Sequence, residues 1–311
     1  MWLSATTDDA VSNANATADA STNESDATSA EVMSLVIKEN CWKWESAKGD
    51  FFMKYYEDVY IAQKVKTIHK KLKNIQFPYH LNVENNGDTH ILKQRWYEGR
   101  SADFSKLSDR QKTLEALQAL HQTNDQIRWQ EIDLLPYYDL REKWYRRFER
   151  FIEHERELKV LLRDDYKKIV AMASDALNRI DGISTEFEER TLLHGDVVHH
   201  NFMFGKDDVK LVDFDLAAMG KRTDELILWL HRVLPNVEYD LKSVMQEHPY
   251  LQHVQQKAHF LLFPNEIMRE ALFYLKLSPR QKQGCYPFIK NFSGDVLRHE
   301  KKLKQMVLEL A

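Results

Sequence analysis

The sequence predicts an α+β fold of two lobes, a small strand-rich one at the N-terminal end and a larger helical one after it. Three observations carry that expectation. Five short segments between Val32 and Trp96 read as strands, Cys41–Ser46 among them alternating apolar and polar residues with period two. From Ser101 onward the apolar spacing changes to three and four. The chain has 311 residues, 43% hydrophobic and 30% charged, enough for one large domain or two lobes around a cleft.

The elements follow in order. Val32–Ile37 and Cys41–Ser46 read as strands, Ala47-Lys48-Gly49-Asp50 as a turn, and Phe51–Tyr56 as an aromatic third strand. Val59–Leu72 places Val59, Ala62, Val65, Ile68 and Leu72 on one helical face. The five lysines within Lys64–Lys73 read as its solvated face. Pro78 closes this region, and two strands follow at Leu81–Glu84 and Thr89–Trp96 around the turn Asn85-Asn86-Gly87-Asp88. Helices are expected at about 107–121, 137–159, 163–181, 224–233, 241–258, 264–276 and 295–309. The smaller lobe is expected over 32–97 and the larger over 98–311. Trp144, Tyr145, Phe148 and Phe151 form a core stripe, with Arg141, Glu142, Arg146, Arg147, Glu149 and Arg150 on the exposed face of the same helix.

Residues 1–31 differ in kind. Twenty-five of them are Ala, Ser, Thr, Asn or Asp, and they carry six acids and no base. Too little apolar surface is present to offset ordering entropy, so a disordered acidic leader is expected. Without those six acids the formal charge moves from −4 to +2, a nearly neutral body that argues against a nucleic-acid binder. No stretch approaches the ~18 apolar residues of a membrane helix. The first basic residue is Lys38, so no basic region opens a secretory signal. Two cysteines, Cys41 and Cys285, suit reduced thiols in a cytoplasmic protein.

The chemistry concentrates in Leu192-Leu193-His194-Gly195-Asp196-Val197-Val198-His199-His200-Asn201-Phe202-Met203-Phe204, followed after a short turn by Val209-Lys210-Leu211-Val212-Asp213-Phe214-Asp215. A loop, a strand, a tight turn and a second strand would bring Asn201 and Asp213 to one point. Phosphoryl transfer from ATP needs such a set. Asp196 would take or orient the acceptor's hydroxyl proton, and the Asn201 amide oxygen and Asp213 carboxylate would hold magnesium, a hard cation. Five such letters at workable spacing arise by chance in on the order of one sequence in a thousand.

His-Gly-Asp-x4-Asn followed by hydrophobic-Asp-Phe-Asp resembles the aminoglycoside phosphotransferase and choline kinase superfamily. The tail Leu211–Asp224, with Ala217, Gly220 and Asp224, looks closest to its bacterial spore-coat kinase-like branch. The resemblance spans roughly residues 34 to 310 and is strongest over 192–224. It implies a two-lobed protein-kinase-like fold, ATP and Mg2+ in the interlobe cleft, and a small-molecule acceptor at the helical lobe. It further implies that Lys54 holds the α- and β-phosphates and that Asn40 lies in a phosphate-covering turn. Gln94–Tyr97, including Gln94 and Trp96, matches the linker that meets adenine. His121 of Leu120-His121 and Asp224 are expected to be structural. One departure is visible: Val59–Leu72 has no Glu or Asp to anchor Lys54, and Glu57 and Asp58 lie before it.

Three readings follow. The first is an ATP-dependent small-molecule kinase. The second is a catalytically weak kinase-fold component, with spore-coat proteins as partners. The third is a metal-dependent hydrolase using His194, Asp196, His199, His200 and Asp213. His253, His259, Glu266 and Arg269 are candidates for acceptor contact.

Overall fold

The computed structural model describes residues 33–183 and 188–310. The expected acidic leader and Val32 lie outside the described residues. Five strands, β1 (Met33–Lys38), β2 (Cys41–Ser46), β3 (Gly49–Tyr55), β4 (Val83–Glu84) and β5 (Ile91–Arg95), make one antiparallel sheet in the order β1-β2-β3-β5-β4. Helix α1 (Val59–Asn74) is inserted after β3. Its first turn is capped by Asp58, whose side chain accepts from the Tyr60 amide at 2.8 Å.

Ala62, Val65, Ile68 and Leu72 are buried on the expected face of α1, but so is Lys64. The lysine run is therefore not wholly a solvated face. Lys64 Nζ donates to the carbonyls of Asp215, at 2.7 Å, and Ala217, at 3.2 Å, which offsets the cost of its burial.

The second lobe runs through β6 (Arg100–Ser101), α2 (Leu107–Gln122), α3 (Leu140–Glu153), α4 (Glu155–Leu162) and α5 (Asp164–Asp181). It continues with β7 (Arg190–Leu193), β8 (Phe202–Phe204), β9 (Val209–Leu211), β10 (Ala218–Lys221) and α6 (Arg222–Val233). Helices α7 (Leu241–Glu247), α8 (Asn265–Lys276) and α9 (Pro279–Leu310) complete it. Every residue of α6 from Thr223 to Val233 is buried, so this helix is the axis of the lobe. Strands β6, β8 and β9 form one small sheet and β7 with β10 another, and these two position the loops described below.

Three helix expectations change. The helix expected over 137–159 is two, broken at His154, where neither Pro nor Gly marks the end. The one expected over 241–258 stops at Glu247, because His248 precedes Pro249 and is pushed to extended backbone. A 3-10 run over Pro249–Leu262 replaces its second half. The last helix starts at Pro279 instead of 295. Ser278-Pro279-Arg280-Gln281 is a capping box, with the Ser278 amide donating to the Gln281 side chain at 3.0 Å and the Gln281 amide to Ser278 Oγ at 3.4 Å. Pro287 then sits inside the helix, where it removes one backbone bond without ending it.

Arg147 also departs from the expected exposed face of its helix. It is half-buried and donates to the Asn265 side chain. With an antiparallel sheet carrying one helix, set against a helical second lobe, the chain has a two-lobed kinase-like fold.

Candidate active site

The loop after β7 carries His194, Gly195 and Asp196. Gly195 has φ +82, and a Cβ there would overlap the backbone oxygen of Leu216, so only glycine fits this crossing. Its amide donates to Glu225 Oε1 at 2.7 Å. The other Glu225 oxygen is 2.7 Å from His121 Nε2, and His121 Nδ1 lies 2.7 Å from the Tyr250 hydroxyl. Glu225 is fully buried, so α6, α2 and the segment before α8 all fix one loop. His121 has the structural place expected of it. Asp224 is likewise buried and pairs with Lys257 at 2.7 Å.

Asn201 and Asp213 do converge. Strand β8 pairs with β9 through Phe202 opposite Leu211, and the Val212 amide donates to the Asn201 carbonyl at 3.1 Å. Two residues flanking this hairpin are thereby brought together. The Asn201 side-chain nitrogen donates to the Asp196 carbonyl at 2.9 Å, which leaves its amide oxygen as the end able to meet a cation. Asp213 has φ +66, a left-handed backbone that a non-glycine residue adopts only where surroundings impose it. His194 Nε2, 2.8 Å from the Val212 carbonyl, and the His194 ring on Phe214 help to impose it.

Lys54 reaches this point from β3. Its ammonium is 2.9 Å from Asp213 Oδ1 and 2.6 Å from Asp215 Oδ2. Tyr56 adds a hydroxyl bond of 2.8 Å to Asp215. Burial works against ionising Asp213, but the Lys54 charge outweighs it and holds the carboxyl well below the usual range. Asp215 is shifted the other way, by burial and by the Asp213 charge. Burial pushes the Tyr56 hydroxyl far up, so it is a donor at any physiological pH. The acid that α1 lacks has a substitute here: Asp215, with Tyr56 behind it, anchors Lys54.

The remaining candidates occupy the sheet. Register places Lys54 opposite Cys41 and Leu92, and Phe52 opposite Lys43 and Gln94, so Gln94 shares the face of Lys54. The Gln94 side-chain nitrogen is buried without a partner. Trp96 is half-buried just beyond β5, its ring nitrogen 2.6 Å from Glu98 and its ring 5.0 Å from Lys43 Nζ. Asn40 is exposed at the β1–β2 turn with φ +61, and its carbonyl accepts from the Tyr55 amide at 2.8 Å. Asn tolerates that backbone, so the turn explains its presence. The neighbouring Lys38 is close enough to Asp213 and His200 for its charge to act on both.

Sequence reasoning missed Asp215, Tyr56, Lys64, Lys38, Glu225 and Arg232. The two acids Asp213 and Asp215 flank one Phe, which was a readable signal; a buried lysine in a lysine-rich helix gave none. Arg232 lies 3.6 Å from Asp196, and its guanidinium also bonds Glu266. Asp196 keeps about a third of its side chain exposed. It is therefore open to an incoming group.

Among the described residues no three or more His, Cys, Asp or Glu side chains could hold a metal together. The histidines of the hydrolase reading do not gather into such a group, and His194 Nε2 is spent on the Val212 carbonyl. One amide oxygen and one carboxylate do fit a hard cation such as magnesium, which keeps most of its shell as water and phosphate oxygen.

The model of the phosphotransferase enzyme family matches residues 86–252, more than half of the chain. The chain belongs to that family. Its fold is similar to that of aminoglycoside phosphotransferase from Alicyclobacillus acidocaldarius, at 16% identity and a TM-score of 0.61, covering 89% of this chain and 93% of that one. It is also similar to Plasmodium vivax ethanolamine kinase, at 13% identity and a TM-score of 0.55, covering 88% and 84%. An ADP-bound aminoglycoside phosphotransferase shows the same fold at 13% identity and a TM-score of 0.50, covering 84% and 92%. No curated protein matches the chain.

Proposed function

We propose that the protein transfers the terminal phosphoryl group of ATP, with magnesium, to a hydroxyl of a small-molecule acceptor. The observation that supports this most is the convergence of Lys54 from one lobe with Asp196, Asn201 and Asp213 from the other. Asp196 is the base: exposed enough to meet a hydroxyl, it accepts the proton as the acceptor oxygen bonds phosphorus and the bond to the β-phosphate oxygen breaks. Lys54 meets phosphate oxygens. Asn201 and Asp213 hold the cation, which when bound offsets charge on the phosphates. Gln94 and Trp96 border the base, Gln94 with a side-chain donor already free of protein partners. Asn40 and Lys38 form the turn above the phosphates.

The second reading, a catalytically weak spore-coat component, drew on the missing acid of α1. Asp215 fills that role, so the enzyme reading is preferred. ATP with magnesium should raise the melting temperature, by ~2.7 kcal/mol of stabilisation at a hundredfold excess over Kd, and Asp213→Ala should abolish the shift. Asp196→Asn should keep that shift yet lower turnover roughly 10²–10⁴-fold. ATP binding with a wild-type to Asp196→Asn rate ratio near one would sink the enzyme reading.

A further inference from the structure

Beside Asp196, on the side away from Lys54, charge does not balance. Lys143 and Arg147 lie one turn apart on α3 and so share a face. Arg232 of α6 and Arg269 of α8 approach the same region. The carboxylates there are already engaged. Glu266 is held by Arg232 and Arg269, Glu270 by Arg269, and Asp196 by Arg232. Lys143 and Arg147 carry no ion pair of their own among the described residues. The direct contacts of Arg147 are the Asn265 amide and the Trp144 ring, and that of Lys143 is the face of Tyr138, 4.9 Å away; Glu266 acts on both, and Asp196 on Lys143, without a salt bridge.

The outer face of the same helix shows how this chain treats cations it merely solvates. Arg146 pairs with Glu142, and Arg141 donates to the carbonyls of Ile180 and Ile183. Two like charges at i and i+4, half-buried and facing a buried arginine, cost free energy in the free protein. Burial, with Arg147 and Arg232, pushes the Lys143 ammonium down to about 7. A second observation points the same way. The Tyr138 hydroxyl is buried with no hydrogen-bond partner; burial and the charges of Asp224 and Glu225 raise it, while those of Arg147 and Arg232 draw it down. Two unpaired cations and one unspent hydroxyl donor make a complement for an oxyanion.

We propose that the acceptor carries, besides its hydroxyl, a carboxylate or phosphate held by Lys143, Arg147 and the Tyr138 hydroxyl. This rests on the phosphotransferase reading and adds the chemical class of the substrate to it. With one end fixed on α3, the hydroxyl is presented to Asp196, and Arg232 holds Asp196 in place while remaining tied to Glu266. A cationic acceptor would meet like charge there.

The test measures melting shifts of the full chain with ADP and magnesium present, adding inorganic phosphate, glycerate, glycerol 3-phosphate or ethanolamine, and then ATP-dependent ADP release with the last three. At least one anion should stabilise the protein and ethanolamine should not. Response to glycerate alone identifies a carboxylate; response to inorganic phosphate or glycerol 3-phosphate identifies a phosphate. Lys143→Gln and Arg147→Gln should each weaken anion binding roughly tenfold or more while leaving the ADP–magnesium shift intact. Tyr138→Phe, which keeps the ring under Lys143, should weaken it about threefold to tenfold and serves if either charge variant fails to fold. Stabilisation by ethanolamine instead, no response to any anion, or anion affinity indifferent to all three variants would overturn the proposal. Absence of the wild-type nucleotide shift would overturn the phosphotransferase reading separately.

Discussion

The two halves of the site arrange charge differently. On the sheet side, two carboxylates, Asp213 and Asp215, converge on the ammonium of Lys54, with Lys64 on the Asp215 carbonyl and the Lys38 charge acting on Asp213. On the helical side, Lys143, Arg147, Arg232 and Arg269 face Asp196, Glu266 and Glu270. Both halves are largely shielded from water, so neither arrangement is screened as it would be at a surface. Adjoining carboxylates suit a hard divalent cation, and ammonium and guanidinium groups without an ion pair suit an oxyanion. On the proposed function, the nucleotide-bound metal would lie on the sheet side and the acceptor's anionic group on the helical side, with Asp196 as the proposed proton acceptor between them.

Glu225 fixes the loop that carries Asp196, and removing it should give the largest effect on the fold. It accepts from the Gly195 amide and from His121, both in dry surroundings. Glu225→Ala leaves two buried groups unpaired at about 1–3 kcal/mol each, so unfolding free energy should fall by roughly 2–6 kcal/mol. Glu225→Gln, which keeps an acceptor for the Gly195 amide, should recover part of that loss. Urea melts of the three proteins measure it. Equal stability in all three would show that the loop is held by its other contacts.

The sequence showed this site unevenly. His194-Gly195-Asp196, Asn201 and Asp213 were legible because phosphoryl transfer restricts residue type at short spacing, and the hairpin between β8 and β9 is local. The strand lysine was legible only through family resemblance, since its partners are far away in the chain. The anchor for Lys54 was sought on α1, but it arises from Asp215, three elements into the second lobe's small sheets. Lys64 and Arg147 read as solvated because charge is the strongest surface signal in a sequence. Their burial depends on carbonyls and amides supplied by distant segments, which periodicity cannot register. The first half of α9 was missed for a simpler reason: Pro287 suggests a break, while the capping box at Ser278 marks the actual start.

Asp215→Asn tests the sheet side at smaller scale. Without the Asp215 charge, Lys54 rests on Asp213 alone, and on the proposed function it would have no second anchor while Asp213 held the cation. The KM for ATP should rise about tenfold, the worth of one charge-assisted bond, while binding of glycerate or phosphate on the helical side stays unchanged. Tyr56→Phe, which removes only the hydroxyl behind Asp215, should act in the same direction by about twofold to threefold. An unchanged KM in both variants would remove Asp215 as the anchor of Lys54. A parallel loss of anion binding would mean the two halves are not separable.

The last effect is a pH slope on the helical side. Lys143 faces Tyr138 and Arg147 from its own segment, Arg232 from α6, Glu266 from α8 and Asp196 from the loop after β7. Its proton is lost near pH 7 in the folded protein and near 10.5 in the unfolded chain. Below pH 7 both states hold that proton, and the cost of the crowded cation is fully present. Between about 7 and 10 the unfolded chain binds more protons, so stability rises with pH, by at most about 1.4 kcal/mol per unit from this one group. Lys64, also lowered by burial, adds in the same direction, so the informative quantity is the difference between wild type and Lys143→Met. The variant should be more stable than wild type near pH 6.5, with the gap closing towards pH 9. Saturating inorganic phosphate or glycerate, by pairing with the ammonium, should flatten the wild-type slope and leave the variant's slope as it was. Parallel slopes in the two proteins, with and without anion, would show that the Lys143 charge is not crowded, and the helical half would lose its claim to an excess of positive charge.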